Sequence, residues 1–182
     1  YSRTTLARIA EAAGVSVETV QAQGSKAALL VAAVELAAVG VSDADNILDL
    51  DVGRRFLALT DRDEAIDFYV AEQTAAHERS AAIVQALNGA AANDPDIRRY
   101  LDELLAGVGQ QLRRILTVCR ERGWLRADVA FDELVGTAVV LGSVDTYVRL
   151  VGHEGWTVDV FRAWLRRMLG EAVFAPPRRS RR

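Results

Sequence analysis

Proline occurs only three times in 182 residues, at Pro95, Pro176 and Pro177, and none of them interrupts a long periodic segment. Proline removes a backbone N–H and clashes with the preceding turn, so a chain this free of it can run in long helices. Ala, Leu, Glu and Arg dominate, residues that lose little freedom on entering a helix. No segment alternates apolar and polar residues as a strand does, so the sequence predicts an all-α fold.

Capping residues divide the chain. A helix over about 5–13 ends at Gly14, and Ser16 caps a second over 17–23. Gly24 breaks that helix, and Ser25 caps a third over about 26–39. A polar link through Asp43, Asp45 and Asn46 leads to a short helix holding Phe56 and Leu57. A long helix spans about 63–87 and is expected to stop at Asn88-Gly89. Asp94 with Pro95 is the strongest start signal in the chain. The helix it opens carries Ile97, Leu101, Leu104, Leu105, Val108, Leu112, Ile115 and Val118 in one stripe and ends before Gly123. Asp128 is expected to cap a very apolar helix over 129–151, and Thr157 a last one with Phe161, Trp164, Leu165 and Met168. The boundary between three short helices and the longer ones falls near residues 40–46.

Bulk charge excludes one mode of action. With 22 basic and 25 acidic residues the formal net charge is -3, so the molecule as a whole does not attract phosphates. Any grip on nucleic acid must be local. The single cysteine, Cys119, excludes an internal disulfide framework and fits a reducing cytoplasm. No apolar run approaches the roughly 20 residues of a membrane span, and the start lacks a signal-peptide pattern. The two histidines, His77 and His153, have no HExxH or cysteine partner, and neither a phosphate-binding glycine loop nor a serine elbow is present. The expectation is therefore a protein without enzymatic activity, cofactor, metal or membrane partner.

The first two helices have a DNA reader's chemistry. Leu6, Ile9, Ala10 and Val15 can face inward with Val20, and Gly14 turns the chain between them, as in a helix-turn-helix. Outward on the second helix stand Val17, Glu18, Gln21, Ala22 and Gln23. Glutamine can pair with adenine, glutamate can accept from cytosine N4, and a short apolar group can meet the thymine methyl. This helix carries no Arg or Lys, so affinity rests on phosphate contacts from Arg3, Arg8 and Lys26. Ser16 and Thr5 sit at the helix starts, where exposed amides can hold phosphate oxygens.

Tyr1-Ser2-Arg3-Thr4-Thr5-Leu6-Ala7-Arg8-Ile9-Ala10-Glu11-Ala12-Ala13-Gly14-Val15-Ser16-Val17-Glu18-Thr19-Val20, followed by Ser25-Lys26-Ala27-Ala28-Leu29-Leu30, strongly resembles the DNA-binding module of TetR-family regulators. The resemblance covers about the first 35 residues. It implies a further helix upstream of Tyr1, and backbone contacts to DNA from Thr5, Thr19 and Lys26. Gln21 stands where the family usually has a tyrosine, and one residue fewer precedes the lysine. The stretch Val140-Leu141-Gly142-Ser143-Val144-Asp145-Thr146-Tyr147, then Gly155-Trp156 and Trp164, is similar to the closing helices of many members. The family pairs its last two helices across a dimer, which implies a homodimer through residues about 129–174.

The resulting layout is a helix-turn-helix DNA-binding domain over 1–40, incomplete at its N-terminus, and a helical ligand-binding and dimerisation domain over 41–175. A basic disordered tail over 176–182 closes it. On the long helix Ile66, Tyr69, Val70, Gln73, His77, Ala81, Val84 and Leu87 share one side, with two polar groups interrupting it. Convergent polar groups on apolar walls describe a small-molecule pocket, so Tyr69, Gln73, His77 and Asp145 are the candidate ligand residues. A core Gln or His satisfied by an internal hydrogen bond fits the same pattern. The expected function is a cytoplasmic, TetR-like regulator, a repressor that leaves its double-stranded operator when a small-molecule effector binds. The alternative is a helical ligand-binding or scaffold protein whose reading head no longer binds DNA.

Overall fold

The computed structural model describes residues 1, 3–38 and 46–176. The expected link residues Asp43 and Asp45, most of the expected domain boundary, and the tail from Pro177 onward lie outside the described residues. Among those described the chain is helical, and its one strand-like feature is an isolated antiparallel bridge between Leu125 and Phe174.

The short helices begin where a side chain can receive the free amides of a first turn. Thr5 accepts from the Arg8 N–H and opens α1 (Leu6–Ala13), and Gly14, at φ 65°, closes it in the left-handed conformation. Ser16 accepts from the Thr19 N–H and opens α2 (Val17–Ala22). Ser25 accepts from the Ala28 N–H at the start of α3 (Lys26–Ala38). Ala10 and Val20 are buried where α1 meets α2, but Val15, expected to face inward, is 45 % exposed. It follows Gly14 directly in the turn, beyond the packed faces of both helices.

A 3-10 turn (Ile47–Asp49) leads into α4 (Asp51–Ala58), followed by α5 (Arg62–Ala91) and α6 (Pro95–Glu121). Asp61 caps α5 and Asp94 caps α6, each accepting two amides. The Asn88-Gly89 stop expected from sequence is passed over. Ala90 and Ala91 continue the helix because both are buried against a second core formed by Val34, Leu87, Ile97 and Leu101. That core joins α3 to the end of α5 and the start of α6. The third short helix therefore packs with the long ones.

The main core gathers α4, α5, α6, α7 (Phe131–Leu141) and α9 (Val158–Ala172) around Phe56, Ile66, Leu116, Leu134, Phe161 and Leu165. The α6 stripe divides between the two cores: Ile97 and Leu101 enter one, while Leu112 enters the other with Ile115 and Val118 packed against it. Between them Leu105 and Val108 are 54 % and 49 % exposed, contrary to the expectation of one continuous buried stripe. Along one edge Arg166 pairs with Asp67 and Arg162 with Glu78, which aligns α9 on α5.

The single helix expected over 129–151 is broken. Asp128 is engaged by Arg126 at 2.6 Å, and α7 begins after Ala130 without a side-chain cap, its first turn supplied with Asp132 and Glu133 instead. Gly142 ends α7. Ser143 then caps a new short helix, α8 (Val144–Tyr147), by accepting from the Thr146 N–H, and the chain continues as a π-helical turn, Val148–His153. Among the described residues no single helix is long and apolar enough to cross a membrane.

Candidate functional site

Of the outward row expected on α2, Glu18, Gln21, Ala22 and Gln23 are exposed, whereas Val17 is half-buried; Thr19 is exposed as well. Ser16 and Thr19 hydroxyls lie 3.1 Å apart. Glu18 is held below the usual carboxylate range by its own backbone N–H and then by Ser16, so it presents a full negative charge. Gln23 stands at the end of the helix, where its N–H bonds back to Val20. An open groove of about 830 Å³ lies along α1 and the segment before it, lined by Arg3, Arg8, Ile9, Ala12 and Ala13 among others.

Lys26 points back at the start of the chain. Its Nζ donates to the Tyr1 carbonyl at 3.2 Å and the Thr4 carbonyl at 3.1 Å, and it lies 4.0 Å from the centre of the Tyr1 ring. Sequence placed this cation correctly at a helix start. Its acceptors carry no sequence signal, because every residue has a carbonyl.

The expected ligand residues converge only in part. Gln73 Nε2 donates to the Gly142 carbonyl at 3.0 Å, and His77 Nε2 lies 3.0 Å from the same oxygen. The two nitrogens are 3.3 Å apart. One carbonyl has two lone pairs, so it can serve both donors when His77 carries its proton on Nε2. Tyr69 lies against the same glycine: a methyl group at Gly142 would stand 2.6 Å from the Tyr69 hydroxyl. Burial pushes that phenol above its ordinary range. Asp145 is elsewhere, exposed on α8, where Asn88 donates to it at 3.4 Å. Of the four, Tyr69 alone lines the nearby core cavity, with Phe56, Ile66, Leu112, Cys119 and Leu169. That cavity is about 20 Å³, room for one water, whereas ligand pockets run to several hundred.

Gly142 and Ser143, which break the helix and supply the shared acceptor, are the site residues that sequence reasoning missed as such. A Gly-Ser pair inside an apolar run was the available signal. Burial pushes the Cys119 thiol up to about 12, so it stays protonated in the core. Among the described residues no cluster of His, Cys, Asp and Glu could hold a metal ion.

His77 makes a testable contribution to stability. Its pKa is lowered by burial, an effect the Gly142 carbonyl only partly opposes. The unfolded chain therefore binds this proton at higher pH than the folded one. Stability is fully present above the unfolded value of about 6.5 and falls as pH drops through it toward the folded value. A melting temperature that declines from pH 7.5 to 5 is expected. The His77→Gln variant, which can still donate to a carbonyl but does not titrate, should show a shallower decline; an unchanged slope would remove His77 as its source.

The outer faces of α7 and α9 are partly apolar. Val140 is 65 % exposed and Val160 50 %, near the exposed Gly136 and Ala163. No family model, curated protein or solved structure matches the chain.

Proposed function

We propose that the chain is a TetR-like transcriptional regulator, a repressor that acts as a homodimer in the cytoplasm and leaves its operator when a small-molecule effector binds. The observation that carries this reading is the α1–α2 pair: two capped helices around Gly14, with Glu18, Gln21 and Gln23 standing exposed on the second. That row suits the major groove, where glutamine and glutamate have distinct base partners. The cations at Arg3, before α1, and Arg8, on it, supply attraction that the acidic molecule lacks as a whole. The resemblance of residues 1–35 to the family's reading head supports the same assignment.

Two copies would meet through α7 and α9, where Val140 and Val160 are exposed beside small residues that permit close approach. A dimer so joined has to present its α2 helices about 34 Å apart, or a multiple of that, to match successive half-sites. The effector's place is the core beside Tyr69, where α4, α5, α6, α7 and α9 meet, and it enters by parting them. The break at Gly142, tied to Gln73 and His77 on α5, is where such parting would act on the long helix that also packs against α3. A ligand shifts the equilibrium only as far as it prefers the parted state. No catalytic role is proposed, since the buried thiol is protonated and His77 is committed to a carbonyl.

The test is salt-dependent binding of the full protein to DNA from its own upstream region. Saturable, sequence-selective binding is expected, weakening steeply with salt. Gln23→Ala should change the preference among operator variants, by about 1–3 kcal/mol at one base position, more than it changes overall affinity. Absence of any sequence preference at low salt would sink the proposal. It would favour a helical ligand-binding or scaffold protein, a reading to which the exposed Glu18 and the lack of a cation on α2 already lend weight.

A further inference from the structure

We infer that Lys26 is a positioning residue of the reading head, one that acts by fixing the segment before α1 instead of by touching phosphate. The inference rests on the DNA-binding reading above, but its structural half can be measured without DNA.

An ammonium group has three donors. Here two of them meet the carbonyls of Tyr1 and Thr4, at 3.2 and 3.1 Å, and the Tyr1 ring face covers the nitrogen at 4.0 Å. All three engagements lie on the same short segment, which commits two of the three donors to it and turns the cation toward the start of the chain. The tie joins residues far apart in the chain: Lys26 opens α3, while Thr4 immediately precedes the cap of α1. Charge-assisted bonds to carbonyls are stronger than neutral ones, and a cation over an aromatic face adds to them. The Thr4 N–H in turn bonds the Tyr1 carbonyl at 3.0 Å, so one oxygen receives both the ammonium and a backbone amide.

The consequence falls on Thr5. Its hydroxyl accepts from the Arg8 N–H and its carbonyl from the Ile9 N–H, which fixes the first turn of α1. Tyr1 itself packs on the second core, beside Ala27 and Leu30 of α3. Lys26 therefore holds the beginning of α1 to α3, and through α3 to the long helices. A reading head whose first turn is ordered in advance does not lose that ordering entropy again on binding. Every operator sequence benefits alike, because no base is touched.

The decisive variant is Lys26→Met, which keeps the apolar stem over Tyr1 and removes the charge and donors. In the DNA-free protein, amide exchange at Thr4, Arg8 and Ile9 should speed up about tenfold, the factor for one net hydrogen bond, with helix α9 unaffected. Binding should weaken about tenfold for all sequences, with the slope of log K against log salt unchanged. A cation that neutralises a phosphate behaves differently: its removal lowers that slope by about one. A slope reduced by one, or exchange left unchanged at those three amides, overturns the inference. Tyr1→Leu gives a second reading, since it loosens the tie while leaving the Lys26 charge in place. Weaker binding at constant slope is expected, whereas equal or tighter binding overturns the positioning role. If the unmodified protein binds no DNA, the regulator reading fails and the positioning role with it. The exchange result then still reports whether the tie exists.

Discussion

Phe161→Ala is expected to lower the unfolding free energy by about 4 kcal/mol, within the range for removing a fully buried phenylalanine. The side chain is 0 % exposed on α9. It meets Tyr147 edge-on, with ring centres 5.1 Å apart and planes at 89°, and lies 5.8 Å from the Trp164 ring. Each such pair adds to the apolar area it buries. The loss is a large share of the 5–15 kcal/mol typical of a domain, so part of the population should be unfolded at moderate denaturant. The effect also reaches the polar node. Tyr147 stands 5.4 Å from His77, between that ring and Phe161. A void behind Tyr147 lets water nearer the imidazole, so the acid-dependent loss of stability ascribed to His77 should shrink in the same variant. Denaturant midpoints at pH 7.5 and 5.5, with the slope in denaturant preserved, measure both effects. A loss under about 1 kcal/mol would mean that α9 is not seated as described.

Most helix starts were legible because a cap is a local event; Asp128, paired with Arg126 instead of capping α7, is the exception. Thr5, Ser16, Ser25, Asp94 and Thr157 each accept amides two or three residues ahead, and that spacing is present in the sequence. Helix ends and breaks were less so. Asn88-Gly89 has the form of a stop, yet burial of Ala90 and Ala91 against α3 outweighs the roughly 1 kcal/mol that a glycine takes from a helix. Gly142-Ser143 lies inside an apolar run with helical period, and apolarity hid the break. Period also fails to say which stretch of a stripe has a neighbour. Leu105 and Val108 keep the phase of Leu101 and Leu112 but lie between the two cores.

The candidate site shows the same limit. Gln73 and His77 could be found, since polar residues on an apolar helical face ask for a partner. The partner is a backbone oxygen 69 and 65 residues away, and no residue type announces it. Lys26 is the parallel case at the other end of the molecule. The exposed row on α2 was legible for the most part because helical period and the apolar Val20 together mark the inward side, although Val17 turned out half-buried.

Gly53→Ala is expected to be the most damaging single methyl group that can be added among the glycines described. A Cβ at position 53 would lie 2.0 Å from the Ile47 carbonyl oxygen and 2.5 Å from the Leu48 Cα. Both obstacles are backbone, so no side chain can swing aside. The 3-10 turn would have to lift from α4. That turn is held elsewhere too: Asn46 accepts from the Leu48 N–H at 3.2 Å, and the Ile47 N–H donates 2.9 Å to Gln111, a buried side chain on α6. Lifting it breaks the Ile47–Gln111 bond and separates α4 from the point where the chain reaches α6. Overpacking of this kind removes about 3 kcal/mol, the upper part of its usual range. Gly109→Ala, the same chemical change in the middle of α6, meets nothing within 4 Å and should raise stability by about 0.5–1 kcal/mol through helix propensity. Denaturant unfolding of the two variants gives shifts of opposite sign, and amide exchange at Ile47 should rise only in the first. Equal shifts in the two would show that the turn is not packed on α4 at Gly53.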